Sequence, residues 1–326
     1  MSDKAMEHAS LSLPGLTDLA AFRALRAEPA RWLPIARDIA ASHGVAWSEP
    51  VVFATGTNLV VGLNGSLILK IFPPFYRSQF VSERATLRVL AGQLRIDVPE
   101  IVHEGERQQW PYLIMTRLSG VLASDVWPEM AEGDKESVLR QLGETIAAVQ
   151  RVPPGELLQI APNWPDVMRS QIAGCRARHQ RLGLAQKYLD GFDDLLRDAP
   201  ELIPVDPDPV ILVGEYIPEN FLLARDGDGW RVSGLFDFGD VFTGLGDYDL
   251  LGPSAFMAAG RSARVRGLLE GYGYAQAEID TRLKRRLLTL MLLHQASDLN
   301  RHICIEGWQS KAATLWQLQE LIWPSE

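Results

Sequence analysis

Between Val210 and Leu250 the chain reads VILVGEYIPENFLLARDGDGWRVSGLFDFGDVFTGLGDYDL, and no other stretch restricts the possible folds as much. Its apolar runs PVILV, NFLLA and WRVSGLF are separated by turn-forming residues, a pattern that predicts a strand, a tight polar loop and a β-hairpin. The Asp226-Gly227-Asp228-Gly229 cluster supplies the hairpin turn, because Gly and Asp tolerate positive φ. With the turn centred between Asp228 and Gly229, Asn220 on one strand falls opposite Asp237 on the other. Glu215 lies on the preceding loop, so a carboxylate, an amide and a second carboxylate converge at one end of the hairpin. Such an oxygen set suits a hard cation such as Mg²⁺, which takes few protein ligands and keeps positions for water and phosphate. Acidic residues also stand in turns for backbone reasons alone, and the rest of the chain has to decide between the two readings.

The chain has 326 residues, enough for one large domain or two, and is 47% hydrophobic. A net charge of -9 works against nucleic acid or an anionic membrane as partner, since the general field repels phosphates. It favours a cationic small molecule, or serves solubility only. Cys175 and Cys304 lie in apparent helical segments with no metal-ligand spacing, which predicts buried thiols in a reducing cytoplasm. The N-terminal residues show no signal-peptide pattern, and no apolar run is long enough to span a bilayer.

Residues from about Leu16 to Ser42 carry helical apolar spacing in two pieces, and Gly44 is a plausible stop. In VVFATGTNLVVGLNGSLILKIF two apolar runs flank Asn64-Gly65, a strong hairpin signal. The small-residue loop Thr55, Gly56, Thr57, Asn58 lets backbone amides approach a phosphate closely. Lys70 sits within the apolar strand SLILKIF, where an ammonium needs an anionic partner or a path to water. Glu83, thirteen positions later on the helical pattern SQFVSERATLRVLAGQL, can be that partner and hold the lysine toward a nucleotide's phosphates. The strand WPYLIMTRLSG then breaks at Ser119-Gly120, where a sheet lobe hands over to a helical one. At such a junction the backbone near Met115, Thr116 and Leu118 is available to a flat heterocycle. Helical patterns dominate from Asp134 onward, and His294 and Asp298 fall four apart on one predicted helical face.

Taken together, RWLPIARDIA, TGTNLVVG, LILKIF, WPYLIMTRLSG and LFDFGDVFTG make the chain resemble the aminoglycoside phosphotransferase family from about Trp32 onward, most nearly its hygromycin B phosphotransferases. The family's HGDxxPxN pattern stands here as VGEYIPEN, and its IDFxD pattern as FDFGD. The resemblance implies an α+β, protein-kinase-like bilobal fold with a small antiparallel-sheet N-lobe and a larger, mostly helical C-lobe. Its divisions would be an N-terminal helical extension over 1–44, a nucleotide-binding lobe over 45–118 and a helical lobe over 119–326. By the same likeness Lys70 is the phosphate-binding lysine, Glu83 its partner, Asn220 and Asp237 the Mg²⁺ ligands, and Glu215 stands where the family has its catalytic Asp. The co-substrate is then ATP or GTP and the acceptor a small polar molecule, with Asp240, Asp247 and Asp298 as candidates to attract an amino sugar.

Three departures accompany the likeness. Val213 replaces the usual histidine, Leu245 follows Gly244 where GDPxxDL has Asp, and Glu215 is longer than Asp by one methylene, about 1.5 Å. An active kinase whose loop is built for Glu accounts for these. The alternatives are a kinase of a different metabolite alcohol, and a nucleotide-binding pseudokinase with weak or no transfer activity, for which Glu215 is the only sequence support.

Overall fold

The computed structural model describes residues 13–16, 18–54, 56–160 and 162–325. They form two compact units, one drawn from residues 1–91 and 98–118, the other from 92–97 and 119–326.

The first unit is built on an antiparallel sheet. Helices α1 (Leu19–Arg26) and α2 (Pro29–Ser42) precede strands β1 (Val51–Phe53), β2 (Leu59–Gly62) and β3 (Leu67–Ile71). Helix α3 (Arg77–Leu90) then leads into β4 (Ile101–Arg107) and β5 (Trp110–Thr116), and the strand order is β1-β2-β3-β5-β4. Alternation decides what each face meets. Val61, Leu69, Ile71, Tyr112 and Ile114 point to one side, where Phe22, Leu25, Trp32, Ile35 and Ile39 of the N-terminal helices bury them. Each such large apolar side chain contributes about 1.5–3 kcal/mol when fully withdrawn from water. Lys70, paired in register with Val60 and Leu113, points to the opposite side, toward α3. The Asn64-Gly65 hairpin is wider than a two-residue turn. Leu63 still bonds Leu67, and the Asn64 side chain closes the loop by accepting from the Ser66 and Leu67 amides.

The second unit begins with β6 (Val121–Leu122), α4 (Ala123–Val126), α5 (Glu132–Gln150), α6 (Trp164–Arg181), α7 (Gln186–Leu189) and α8 (Phe192–Leu202). The strands β7 (Val210–Leu212), β8 (Phe221–Asp226), β9 (Gly229–Leu235) and β10 (Phe242–Gly244) follow. The chain closes with α9 (Leu251–Pro253), α10 (Ser262–Tyr272), α11 (Thr281–Leu293), α12 (Leu299–His302), α13 (Trp308–Lys311) and α14 (Leu315–Ile322). Strands β6-β8-β9 form one small sheet and β7-β10 another. This combination of an antiparallel sheet unit and a mostly helical unit is the expected α+β organisation.

Helices α5 and α10 approach closely because glycines line their contact. A Cβ on Gly271 would stand 2.1 Å from the Arg140 carbonyl oxygen, and one on Gly143 would stand 2.2 Å from that of Leu268. Backbone cannot swing aside as a side chain can, so Gly271→Ala is expected to cost about 1–3 kcal/mol. The loss is read as a lowered midpoint of thermal unfolding, and an unchanged midpoint would show that the helices part freely.

Two expectations are corrected here. His294 and Asp298 do not share a helical face: α11 stops at Leu293, His294 turns extended (ψ 131), and Asp298 stands just before the separate helix α12. The His294 ring takes the Ala296 amide, which draws the chain off the helical path. Cys175 is buried on α6, whereas Cys304 lies outside any helix and is exposed.

Candidate functional site

Strands β7 and β10 pair antiparallel, with Phe242 opposite Leu212, and the β8–β9 hairpin lies between them in sequence. The loops 213–220 and 236–241 therefore leave neighbouring strand ends. The hairpin turn is Gly227-Asp228, with Asp226 facing Gly229, and the pairing slips by one residue between Leu222 and Leu223. This bulge lies where Asp97 docks beside Gly234, taking a bond from the Leu235 amide and giving one to the Ser233 carbonyl. As a result Asn220 bonds Phe236 through its carbonyl, and Asp237 is the next residue, not the direct partner expected from the sequence. Asp237 sits at φ +68, in the left-handed region that Asp tolerates better than most residues and that recurs at functional positions.

Asn220 is buried, and its Nδ2 donates to Glu215 twice, to the carbonyl oxygen at 3.1 Å and to Oε2 at 3.3 Å. Its amide nitrogen is thus committed to the loop, and Oδ1 is the atom a cation would take. Among the described residues no group of three or more His, Cys, Asp or Glu is placed to hold a metal. The candidate pair here is one amide and one carboxylate, which fits an ion that keeps most of its ligands as water or phosphate.

The loop is braced from below by Asp249. Its Oδ1 accepts from the Gly214 amide at 2.7 Å, and its Oδ2 from the Val213 amide at 3.3 Å and from Gln150 Nε2 at 3.1 Å. Gly214 stands at φ +77, which lets two successive amides turn toward one carboxylate. Burial pushes the Asp249 carboxyl up to about 7, against the opposing pull of those N–H donors. From the other side His294 stacks on Tyr248 at 4.7 Å. Gln150 is itself held by the Tyr272 hydroxyl at 2.7 Å.

In the first unit Lys70 Nζ lies 2.5 Å from Glu83 Oε2, and both residues are nearly inaccessible to solvent. Gly56 takes φ +97, and Asn58 is buried with its amide bonded to Gln79 and Thr57. Thr55 lies outside the described residues. At the end of β5 the backbone is less available than expected. The Thr116 amide is taken by the Glu100 carbonyl and the Arg117 amide by that of Ser66, while Met115 is buried in the sheet. Leu118 lies past the last strand residue.

The acidic candidates separate. Asp240 is exposed in the turn after Asp237. Asp247 is buried and already bound, with Arg286 Nε at 2.5 Å from one oxygen and the Tyr274 hydroxyl at 2.5 Å from the other. Both of its oxygens are thus tied into the fold. Asp298 is half-buried at the start of α12.

A model of the phosphotransferase enzyme family matches residues 41–288, about three quarters of the chain. The chain belongs to this family. It is 29% identical over 152 residues to an aminoglycoside 3'-phosphotransferase of Streptomyces ribosidificus, a match covering 44% of this chain and 53% of that protein. The matched part thus spans about half the length of that curated relative. Among solved structures, the GDP complex of aminoglycoside 2'-phosphotransferase-IIIa superposes with a TM-score of 0.64 at 16% identity, covering 80% of this chain and 89% of that one. The macrolide 2'-phosphotransferase MphH of Brachybacterium faecium, as apoenzyme, gives 0.57 at 18% identity, covering 89% and 98%. At these identities the likeness is one of fold.

Membership sets the departures in context. The family-type loop here lacks its histidine at Val213, and in this structure the Val213 and Gly214 amides donate to Asp249. Sequence reading missed Asp249 and Gln150 as a loop brace. The only available signal was the final Asp-Leu of GLGDYDL, which stands where GDPxxDL has its own.

Proposed function

We propose that this chain is an ATP- or GTP-dependent O-phosphotransferase that moves the γ-phosphoryl group to a hydroxyl of an aminoglycoside-like acceptor. The observation that carries the reading is the braced loop. Glu215 and Asn220 are hydrogen-bonded to one another on a backbone clamped by Asp249, and Asp237 follows directly after the residue that bonds Asn220.

Each residue then has a task. Lys70, fixed by Glu83, steadies the nucleotide phosphates, and the loop around Gly56 gives them backbone amides. Asn220 Oδ1 and the Asp237 carboxylate would hold Mg²⁺, which when bound neutralises phosphate charge. Glu215 accepts a hydrogen bond from the acceptor hydroxyl and aligns its oxygen with the γ-phosphorus. As the new P–O bond forms and the bond to the β-phosphate oxygen breaks, the hydroxyl proton passes to Glu215 and on to water. No helix among the described residues is long and apolar enough to cross a membrane. The reading sets the reaction in the cytoplasm, where nucleoside triphosphates are held.

Single-turnover transfer of labelled γ-phosphate from ATP to a panel of aminoglycosides and other hydroxylated molecules tests the proposal. Transfer to at least one is expected, and none on any acceptor despite MgATP binding would overturn it. Asp237→Asn is expected to remove the Mg²⁺ dependence of nucleotide binding. An unchanged dependence would remove Asp237 from the metal site.

A further inference from the structure

Glu215 forms part of the wall of a cavity of about 240 Å³ in the second unit. Most of the remaining wall is hydrocarbon, with Ile217 from the same loop, Leu251, Phe256, Met291, Leu299 and Ile303. The polar lining is Ser297 and the imidazoles of His294 and His302. Glu215 is the one carboxylate among the described lining residues. None of the other acidic candidates lines this space, and Asp247 is already bound to Arg286 and Tyr274.

The two histidines add no charge of either sign near neutral pH. Loss of solvation, with His302 and Arg178 nearby, pushes His294 down to about 4, and burial lowers His302 as well. The His294 ring also accepts from the Ala296 amide and stacks on Tyr248, so it is structural here. A ring bearing several ammonium groups would find one carboxylate in this cavity and leave its other charges against hydrocarbon. An unpaired charge in such surroundings costs several kcal/mol. An uncharged ring with deoxy, methyl or alkyl substituents loses little hydration and gains contact with the wall.

We propose that the part of the acceptor carrying the phosphorylated hydroxyl is uncharged and turns an apolar face to this cavity, with any ammonium groups lying outside it. This rests on the phosphotransferase reading, because it takes Glu215 as the group that receives the hydroxyl.

The test measures equilibrium binding without nucleotide, so that it is independent of transfer. Two probes are titrated by calorimetry: n-hexyl β-glucoside below its micellar range, and kanamycin, whose rings carry ammonium groups. The glucoside is expected to bind, to weaken about tenfold in Phe256→Ala, and to recover most of that loss in Phe256→Leu, which keeps an apolar side chain. Kanamycin is expected to be insensitive to Phe256→Ala and to gain affinity in Phe256→Glu, which adds a second carboxylate to the wall. No binding of the glucoside, or binding that Phe256→Ala leaves unchanged, would overturn the proposal. So would kanamycin binding that competes with the glucoside and is at least as tight. If the glucoside binds as expected but no acceptor is ever phosphorylated, the phosphotransferase reading fails while the chemistry of the cavity stands.

Discussion

Glu215→Gln is expected to slow phosphoryl transfer by about 10²–10⁴-fold, the usual contribution of a positioned proton acceptor. The amide keeps the volume of the side chain, and its oxygen can still accept from Asn220 Nδ2, now 3.3 Å from Glu215 Oε2. The fold and the nucleotide site are therefore retained, and only the negative charge facing the hydroxyl is lost. Single-turnover rates at saturating MgATP, with nucleotide affinity measured in parallel, separate the two effects. A rate that survives would exclude Glu215 as the group receiving the hydroxyl. Glu215→Asp, which restores the residue usual in the family, is also expected to be slower. Its carboxylate falls about 1.5 Å short of the position set by this loop.

The second large effect is expected at Asp249. In Asp249→Asn one carboxylate oxygen becomes an NH₂ group, while all three recorded partners of Asp249 are donors: the Val213 amide, the Gly214 amide and Gln150 Nε2. At least one donor then faces another inside the protein, which costs about 1–3 kcal/mol of stability. The displaced loop lowers transfer by about 10²-fold, because misplacing the reacting groups by an ångström is enough to do so. The pH dependence carries a sign. Burial raises the Asp249 carboxyl from 3.8 to about 7, so between those values the folded state holds a proton that the unfolded state has released. Stability from this group is fully present below about pH 4 and is lost as pH rises through about 7. Comparing unfolding free energies of the parent and Asp249→Asn across that window should show this decline in the parent alone. Parallel curves would mean that Asp249 does not titrate there.

Much of the candidate site can be read from local patterns. Lys70 is legible because an ammonium inside an apolar strand demands a partner, and Glu83 meets it at 2.5 Å. Asn220 and Asp237 are legible from the hairpin that separates them, although the exact register is not. The one-residue bulge answers to Asp97, more than a hundred residues away, and no local pattern reports it. The predicted helix through His294 failed for a related reason. Its apolar spacing continues, but the His294 ring takes the Ala296 amide and stacks on Tyr248. Contacts of that kind override helical periodicity.

By itself the sequence determined which side chains are on offer: Lys70 inside an apolar strand, Glu83 on the helix that follows, and Glu215, Asn220 and Asp237 about one hairpin, each placed by a strand or turn signal close to it in the chain. Only the tertiary structure decided how the loop around Glu215 is held and what faces it. Asp249, itself held by Gln150 of a distant helix, accepts from the Val213 and Gly214 amides, and the cavity beside Glu215 is lined mostly by hydrocarbon, not by the acidic residues that the family likeness had offered. The physical reason is range. Strand alternation and turn preference act between near neighbours, whereas desolvation and the pairing of buried donors depend on which distant segments the fold brings together.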